Sequence, residues 1–247
     1  MIFLFTDFGR RASYMGQMQA VVGRRAPSVP VITLTADAPA FAPRLAAYLL
    51  AAEARIAMPG DVVVAVVDPG VGTARRALAL LADGVWYVGP DNGLLSVVAR
   101  RAHERLDFEI VWRPAAMSAS FHGRDLFAPV AAALAQGRYD ALAPATASAL
   151  GHDWPEECDV VVCVDDYGNA MTGRRAASLV PRATLAVPGR CESLPRARTF
   201  ADDVTGTGFW YENAMGLAEI SVREGSAAAR FGLAVGTPVQ PRPLPTV

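Results

Sequence analysis

The chain has 247 residues, of which 52% are hydrophobic and 19% are charged, a composition typical of a soluble globular protein with one large or two ordinary domains. Its formal net charge of −1 offers no basic surface for nucleic acid, and no apolar run reaches the roughly 18 residues that cross a membrane. All 23 basic residues are arginines, which excludes Schiff-base chemistry, pyridoxal phosphate carried on lysine and a Walker A phosphate loop.

The first half of the chain alternates between short apolar segments and helical patterns. Strands are predicted at 2–5, 31–34 and 62–67, and helices at about 13–27, 43–56, 94–101 and 126–136. Asp83-Gly84 separates two further apolar segments, 77–81 and 85–88, and predicts a two-residue hairpin turn. This alternation predicts an α/β fold class, with an N-terminal α/β domain over residues 1–153 that has a largely parallel sheet.

The pattern changes after residue 151. Short apolar segments broken by Gly and Pro follow, and strands are predicted at 159–164, 180–187, 209–211, 217–222 and 238–239. We expect a smaller C-terminal all-β domain over residues 158–247, barrel-like in form. The stretch 151–157, which contains Pro155, is the expected boundary.

Cysteine and histidine are scarce. Cys158, Cys163 and Cys191 form no C-x-x-C motif, and the spacing of His152, Cys158 and Cys163 matches no established zinc pattern, so we expect no metal site. The N-terminal apolar segment 2–5 is too short and uncharged for a signal peptide, which predicts a cytoplasmic protein.

Polar residues follow the predicted strands of the first domain, where ligands bind in open α/β sheets. Asp7 ends the first strand, Asp68-Pro69-Gly70-Val71-Gly72 follows the third and leads to Arg75, residues 89–93 follow the hairpin, and residues 121–125 precede a helix. Because these polar residues are expected to lie at one edge of the sheet, the sequence predicts an active site there.

Each of these residues also has a structural interpretation. Asp68 and Asp91 are suited to turns or helix caps, His122 to a core position, and Arg124 to pairing with Asp125. The Gly70-Val71-Gly72 sequence resembles the start of a dinucleotide-binding fingerprint, but Arg75 stands where the third glycine belongs. We therefore reject a Rossmann-type cofactor site.

A further polar segment, Asp165-Asp166-Tyr167-Gly168-Asn169, ends a strand in the second domain. An Asx-Gly turn explains it structurally. Tyr167 and Asn169 also supply what an adenine pocket needs, namely an aromatic face and an amide that both donates and accepts hydrogen bonds.

Taken together, these motifs resemble those of the S-adenosyl-L-methionine (SAM) hydroxide adenosyltransferases, also described as adenosine-forming SAM hydrolases, which are related to fluorinating and chlorinating SAM enzymes. The matching segments occur in the family's order along nearly the whole chain: T-D-F-G at 6–9, Y-M-G-Q-M at 14–18, V-D-P-G-V-G at 67–72, Arg75, G-P-D-N-G-L-L at 89–95, F-H-G-R-D-L-F-A-P at 121–129, D-D-Y-G-N at 165–169 and G-L-A-E-I…E-G-S-A-A at 216–228.

The resemblance implies an α/β domain followed by a β-barrel domain, and a homotrimer that binds SAM between neighbouring subunits. It implies that the catalytic trio around the reacting water is Asp68, Arg75 and His122. It also implies four substrate-binding residues: Asp7 for the ribose hydroxyls, Asp165 for the methionine ammonium, Asn169 for adenine, and Tyr167 at the aromatic position.

The expected reaction is hydrolysis of SAM to adenosine and L-methionine. The sulfonium is already a good leaving group, so the chemistry requires no metal or other cofactor, and Asp68 or His122 is suited to accept the proton of the water. Three alternatives remain open: a SAM-dependent halogenase that makes 5′-halo-5′-deoxyadenosine, a non-catalytic SAM- or adenosine-binding protein, and a purely structural trimer. The carboxylate of Asp68 counts against a halide site, the trio counts against a binding protein, and the density of polar loop residues counts against a structural trimer.

Overall fold

The computed structural model describes residues 1–145, 150, 154–189, 193–203 and 206–243. Two compact units divide the chain, residues 1–154 and residues 155–247. Over the described ranges, none of the helices combines the length and the apolar character that a membrane crossing requires. His152 and Cys191 lie outside the described residues.

The first unit contains seven strands and four α-helices among its described residues. The strands are β1 (Ile2–Thr6), β2 (Val31–Thr35), β3 (Val62–Val66), β4 (Ala77–Ala82), β5 (Val85–Pro90), β6 (Arg105–Ile110) and β7 (Leu142–Pro144), and the helices are α1 (Tyr14–Arg25), α2 (Pro43–Glu53), α3 (Ser96–Arg101) and α4 (Ala128–Leu134). A 3₁₀ turn at Ala54–Ile56 continues α2, and a π-helical turn at Gly123–Phe127 leads into α4.

These strands form one mixed sheet in the order β2-β1-β3-β5-β4-β6-β7. Strands β2, β1, β3 and β5 are mutually parallel, whereas β4, β6 and β7 pair in antiparallel fashion. Every residue of β1 and β3 is buried, as expected for parallel strands covered on both faces. The α/β fold class is confirmed, and the parallel strands bring their carboxyl ends to one edge.

The predicted hairpin at Asp83-Gly84 is present between β4 and β5. Ala82 pairs with Val85 across the turn, and Asp83 and Gly84 have φ values of 47° and 81°. Two consecutive residues with positive φ make a type I′ turn, which matches the twist of the flanking strands. The turn places β4 beside β5. Because β4 runs antiparallel to β5, the parallel part of the sheet ends at β5.

The second unit is built mainly from short antiparallel strands, which confirms the predicted all-β character. Its elements are β8 (Cys158–Val164), β9 (Ala170–Arg175), β10 (Thr184–Ala186), β11 (Ser193–Leu194), β12 (Phe209–Glu212), β13 (Leu217–Ser221), α5 (Ala227–Phe231) and β14 (Gln240–Arg242). They form a four-stranded sheet, β12-β13-β9-β8, and a three-stranded sheet, β11-β10-β14, which isolated bridges connect at Val160–Pro238 and Arg196–Trp210.

The strand predicted at 180–187 is shorter than expected. Residues 176–178 form a 3₁₀ turn, and only Thr184–Ala186 pair with β11 and β14. The core of the unit surrounds Trp210, which is fully buried and donates its indole N–H to the carbonyl of Ala183 at 2.9 Å. This hydrogen bond connects the segment that precedes β10 to the side chain of a β12 residue.

Candidate active site

A cavity of about 530 Å³ opens at the carboxyl ends of the parallel strands in the first unit. Asp7 directly follows β1, and Asp68 comes two residues after the end of β3. Because β1 and β3 are neighbours in the sheet, their terminal loops lie side by side. Residues that line the cavity include Asp7, Phe8, Tyr14, Asp68, His122 and Arg124.

Asp68, Arg75 and His122 form one hydrogen-bonded trio. The Nε atom of Arg75 donates to both carboxylate oxygens of Asp68, at 2.8 and 2.9 Å, and its Nη2 atom also donates to Oδ2. The same Nη2 atom lies 3.0 Å from Nδ1 of His122. Asp68 and His122 line the cavity, whereas Arg75 lies behind them and stacks its guanidinium over the ring of Phe127.

Backbone packing brings together the two loops that carry this trio. Gly72, in the loop between Asp68 and Arg75, has a φ of 82°, and a Cβ built on it would lie 2.8 Å from the carbonyl oxygen of Ala119. Only glycine permits this left-handed conformation and this close approach without strain. The contact holds the loop against the segment that leads into His122.

The contact with Arg75 assigns the tautomer of His122. A guanidinium has donors but no acceptor, so Nδ1 must accept the hydrogen bond and the ring proton must reside on Nε2. Burial and the nearby charge of Arg75 both lower the pKa of His122 below its ordinary value. The imidazole is therefore neutral at physiological pH and presents a donor at Nε2.

Asp7 lines the same cavity. Its Oδ2 atom accepts a hydrogen bond from the backbone N–H of Phe41 at 3.3 Å, and burial raises the pKa of this carboxyl. Phe41 itself lines the cavity, is 80% exposed and has a φ of 57°. An exposed aromatic residue in the left-handed region carries backbone strain, a feature that is common at ligand sites, and no sequence motif predicted it.

Three aromatic rings form one wall of the cavity. Phe8, Tyr14 and Phe121 pack edge to face with ring centroids 5.1 to 5.9 Å apart. Arg124 stacks over Phe121 and pairs with Asp125, so the structural interpretation of the Arg124–Asp125 pair is correct. The wall supplies apolar surface next to the polar trio.

The loop at 89–93 has a structural role instead of a place in the cavity. Asp91 accepts a hydrogen bond from Arg76 at 2.9 Å, and the Asn92 side chain donates to the carbonyl of Val67. These bonds tie the end of β5 to the loop after β3. Asp91 thus has a structural contact, but it is an ion pair with Arg76 and not the predicted turn or helix-cap contact.

The remaining predicted site residues cluster in the second unit. Oδ1 of Asp165 accepts the backbone N–H groups of Tyr167 and Asn169, at 3.0 and 2.8 Å, and Oδ2 accepts the Asn169 amide at 2.8 Å. This is the expected Asx turn, and it leaves Tyr167 81% exposed. Asp165, Tyr167 and Asn169 line a second cavity of about 670 Å³, together with Phe200, Tyr211 and Ser226.

The sequence motifs assigned no role to a polar cluster at this second cavity, in which Tyr211 lines the cavity and bonds to Glu219, and Glu219 bonds to Asn213. The signal in the sequence was Glu219 itself, an acidic residue in the largely apolar segment 217–222. In the structure, Glu219 is 2% exposed. Within the described ranges, no group of three or more His, Cys, Asp or Glu side chains has a metal-binding arrangement.

Comparison with known proteins places these features in a family context. Residues 2–144 match the family described as SAM hydroxide adenosyltransferase N-terminal domain, and residues 159–240 match the corresponding C-terminal domain. The chain is 37% identical to a protein of Thermus thermophilus named (R)-S-adenosyl-L-methionine hydrolase, over 97% of this chain and 98% of the relative. A protein of the same name from Salinispora arenicola is 39% identical, over 94% of this chain and 93% of its own length.

Solved structures share the fold over the same range. A conserved protein from Thermotoga maritima, described as uncharacterized, superposes with a TM-score of 0.86 at 28% identity, covering 98% of this chain and 99% of the other. A conserved hypothetical protein from Thermus thermophilus superposes with a TM-score of 0.74 at 34% identity, with the same coverage of both chains.

Proposed function

Because the chain belongs to the SAM hydroxide adenosyltransferase family, we propose that it is an enzyme that hydrolyses S-adenosyl-L-methionine to adenosine and L-methionine. The observation that supports this function most directly is the trio itself. Asp68 and His122 face the cavity, and one arginine behind them holds both side chains in place. Binding alone does not require this arrangement.

The sulfonium configuration of the substrate is part of the proposal. The relatives from Thermus thermophilus and Salinispora arenicola are both named for the (R) form of SAM. The sulfonium is a pyramidal stereocentre, so the two epimers direct their methionine arms differently from the same adenosyl group. We expect this enzyme to turn over the (R)-epimer in preference to the (S)-epimer.

In the proposed step, a water molecule donates one proton to Asp68 and accepts a hydrogen bond from Nε2–H of His122. Oδ1 of Asp68 has acceptor capacity for this proton, since Arg75 gives it a single hydrogen bond. The water oxygen attacks C5′ while the C5′–S bond breaks. The electron pair of the broken bond stays on sulfur, and methionine leaves as a neutral thioether. The proton on Asp68 then returns to solvent.

The change in charge during the reaction explains why the proposed site needs no cofactor. A hydroxide-like oxygen attacks C5′ of a substrate whose sulfonium is cationic, so opposite charges disappear in the transition state. A water-poor cavity favours this loss of charge. The apolar wall of Phe8, Tyr14 and Phe121 supplies such surroundings. We propose that the reaction uses no metal or redox cofactor, because the leaving group is already activated.

Four further residues are proposed to bind the substrate through hydrogen bonds and opposite charge. Asp7 accepts hydrogen bonds from the ribose hydroxyls, while Tyr167 and Asn169 hold adenine. Asp165 faces the methionine ammonium through Oδ2, which accepts one hydrogen bond from the Asn169 amide, whereas Oδ1 accepts two backbone N–H groups. The chains assemble as a cytoplasmic homotrimer that binds SAM between neighbouring subunits.

A SAM-dependent halogenase is the second candidate, and the first cavity does not favour it. A halide needs neutral donors around it, whereas the carboxylates of Asp7 and Asp68 both line the cavity. These anions would raise the free energy of a bound halide.

The test is to incubate the pure enzyme with each SAM epimer, with and without chloride or fluoride, and to separate the products by chromatography. We expect adenosine and methionine in equal amounts, independent of halide, and faster from the (R)-epimer. A 5′-halo-5′-deoxyadenosine product would support the halogenase instead. Unchanged SAM that raises the melting temperature would show a binding protein.

A further inference from the structure

We propose that Glu219 is a positioning residue for the substrate pocket of the second unit, where it holds Tyr211 and the β12–β13 turn in the conformation that receives the adenosyl group. The inference rests on the proposed function for the identity of the ligand. Glu219 lies in the G-L-A-E-I segment and does not line the cavity itself. Its effect on the substrate is therefore indirect.

The carboxylate of Glu219 accepts two hydrogen bonds from two different parts of the hairpin. Oε1 accepts the hydroxyl of Tyr211 at 2.6 Å, and Oε2 accepts the side-chain amide of Asn213 at 2.8 Å. Tyr211 pairs with Glu219 directly across the β12–β13 ladder. Both oxygens of a nearly fully buried carboxylate are thus satisfied by neighbours that are close in the sheet.

The bond to Asn213 connects Glu219 to the turn between β12 and β13. Oδ1 of Asn213 accepts the backbone N–H groups of Met215 and Leu217, each at 3.0 Å. The Asn213 amide therefore has its oxygen committed to the turn and its nitrogen committed to Glu219. Removing the carboxylate acceptor would leave a buried donor without a partner.

The bond to Tyr211 connects Glu219 to the cavity. Tyr211 lines the cavity beside Asp165, Tyr167 and Asn169, and its ring packs against Phe200 with centroids 5.3 Å apart. A flat aromatic ring such as adenine gains most from walls held at a fixed angle. Glu219 fixes the hydroxyl end of one such wall, since a tyrosine has little freedom once its ring and its hydroxyl are both held.

Electrostatics give the arrangement a net negative character. Burial and the nearby Asp165 raise the pKa of Glu219, and burial together with the hydrogen bond to Glu219 raises the pKa of Tyr211. Two carboxylates, Asp165 and Glu224, line the cavity, and its described lining residues contain no arginine. This field suits a substrate that carries a sulfonium and an ammonium.

The test is a double-mutant cycle with Glu219→Gln and Tyr211→Phe, read out as the Kd of adenosine by calorimetry and as kcat and KM for SAM. Glutamine matches the shape of glutamate but presents an amide N–H₂ to one of the two donors. We expect each single variant to raise the adenosine Kd and the KM by about tenfold, with kcat within about twofold of the wild type. The double variant should be weaker than either single variant by much less than a further tenfold, because Glu219→Gln already disturbs the bond that Tyr211→Phe removes.

Glu212→Gln is the matched control, because Glu212 is an exposed carboxylate on the same hairpin and does not line the cavity. It should leave all constants unchanged. If the changes in Kd and KM of the two single variants multiply, to about a hundredfold in the double variant, the inference is wrong. It is also wrong if the variants have a lower melting temperature but an unchanged Kd and KM. Should Glu219→Gln fail to fold, Tyr211→Phe alone decides, since an unchanged Kd there contradicts the proposal.

The cycle also separates this inference from the proposed function. Wild-type enzyme that hydrolyses SAM while the variants behave like the wild type would contradict only the role of Glu219. Adenosine binding that shows the expected coupling without any SAM turnover would contradict only the hydrolase. Absence of adenosine binding in the wild type would contradict the inference.

Discussion

Nη2 of Arg75 lies 3.0 Å from Nδ1 of His122, and it also donates a hydrogen bond to Oδ2 of Asp68. One nitrogen of a guanidinium therefore orients both side chains that face the first cavity. Because the guanidinium cannot accept a proton, His122 keeps its lone pair toward Arg75 and its N–H on the opposite side of the ring. This relationship supports the proposed roles, in which Asp68 accepts the proton of the water and His122 donates a hydrogen bond to it.

A donor role for His122 predicts a difference between two substitutions. His122→Gln retains a side-chain N–H donor but cannot accept a proton, so we expect kcat to fall by only about tenfold. His122→Ala removes the donor, and kcat should fall by about a hundredfold or more. Single-turnover rates at saturating SAM measure both. A loss in His122→Gln as large as in His122→Ala would instead identify the imidazole as the base.

Replacement of Arg75 by lysine tests whether the trio acts as a unit. A lysine ammonium cannot match the two-nitrogen contact with Asp68 and the contact with His122 at once, so kcat should fall by about 10² to 10⁴. SAM affinity should change little, since Arg75 does not line the cavity. Arg76→Lys is the matched control, because the guanidinium of Arg76 pairs with Asp91 and not with Asp68. A Kd that rises while kcat is retained would contradict the assignment.

Asp7 is expected to act in binding rather than in chemistry. Asp7→Asn removes a charged acceptor for the ribose hydroxyls and should raise the KM for SAM by about 10- to 100-fold, with a smaller effect on kcat. A 2′-deoxy analogue of SAM should show less difference between wild type and variant than SAM does. Asp37→Asn, an exposed carboxylate paired with Arg10, serves as the control. Equal sensitivity of SAM and the deoxy analogue would place the ribose hydroxyls elsewhere.

Glu53, at the end of α2, predicts a pH dependence of stability. Its Oε2 atom is buried without a hydrogen-bond partner among the described residues, and burial raises its pKa from 4.5 to about 7. A raised pKa in the folded state means that its stabilising contribution is complete below pH 4.5 and is lost as the pH rises through about 7.

Glu53→Gln should therefore be more stable than the wild type at pH 8, by up to about 3 kcal/mol, and should match it near pH 4.5. Urea unfolding at several pH values measures this difference. Glu104→Gln, at an exposed position, should show no such trend. A constant difference between Glu53→Gln and the wild type across this range would show that Glu53 does not titrate as described.

The sequence predicts the parallel part of the sheet well because its signals are local and strong. The all-apolar strand β3 and the Asp83-Gly84 turn depend on side-chain burial and backbone conformation, which a few neighbouring residues determine. Strand β6 (Arg105–Ile110) was not predicted. Its charged and apolar residues do alternate as in a strand with one buried face, and its backbone pairs with β4 on one side and β7 on the other.

The sequence likewise predicts only part of the candidate site. The motifs predict that Asp68, Arg75 and His122 are functional, but the tautomer of His122 and the position of Arg75 behind the other two follow only from three-dimensional contacts. The role inferred for Glu219 depends on Tyr211 and Asn213, which it meets through the β12–β13 hairpin. A single acidic residue in an apolar strand gives no indication of its partners.

Hydrolysis at C5′ by a water molecule activated in the first cavity is the central claim, and oxygen labelling tests it most directly. The enzyme is incubated with SAM in water enriched in ¹⁸O, and adenosine and methionine are analysed by mass spectrometry. The proposed mechanism predicts one ¹⁸O atom in adenosine, at the 5′ oxygen, and none in methionine. Adenosine without the label, or label in methionine, would contradict attack of water on C5′.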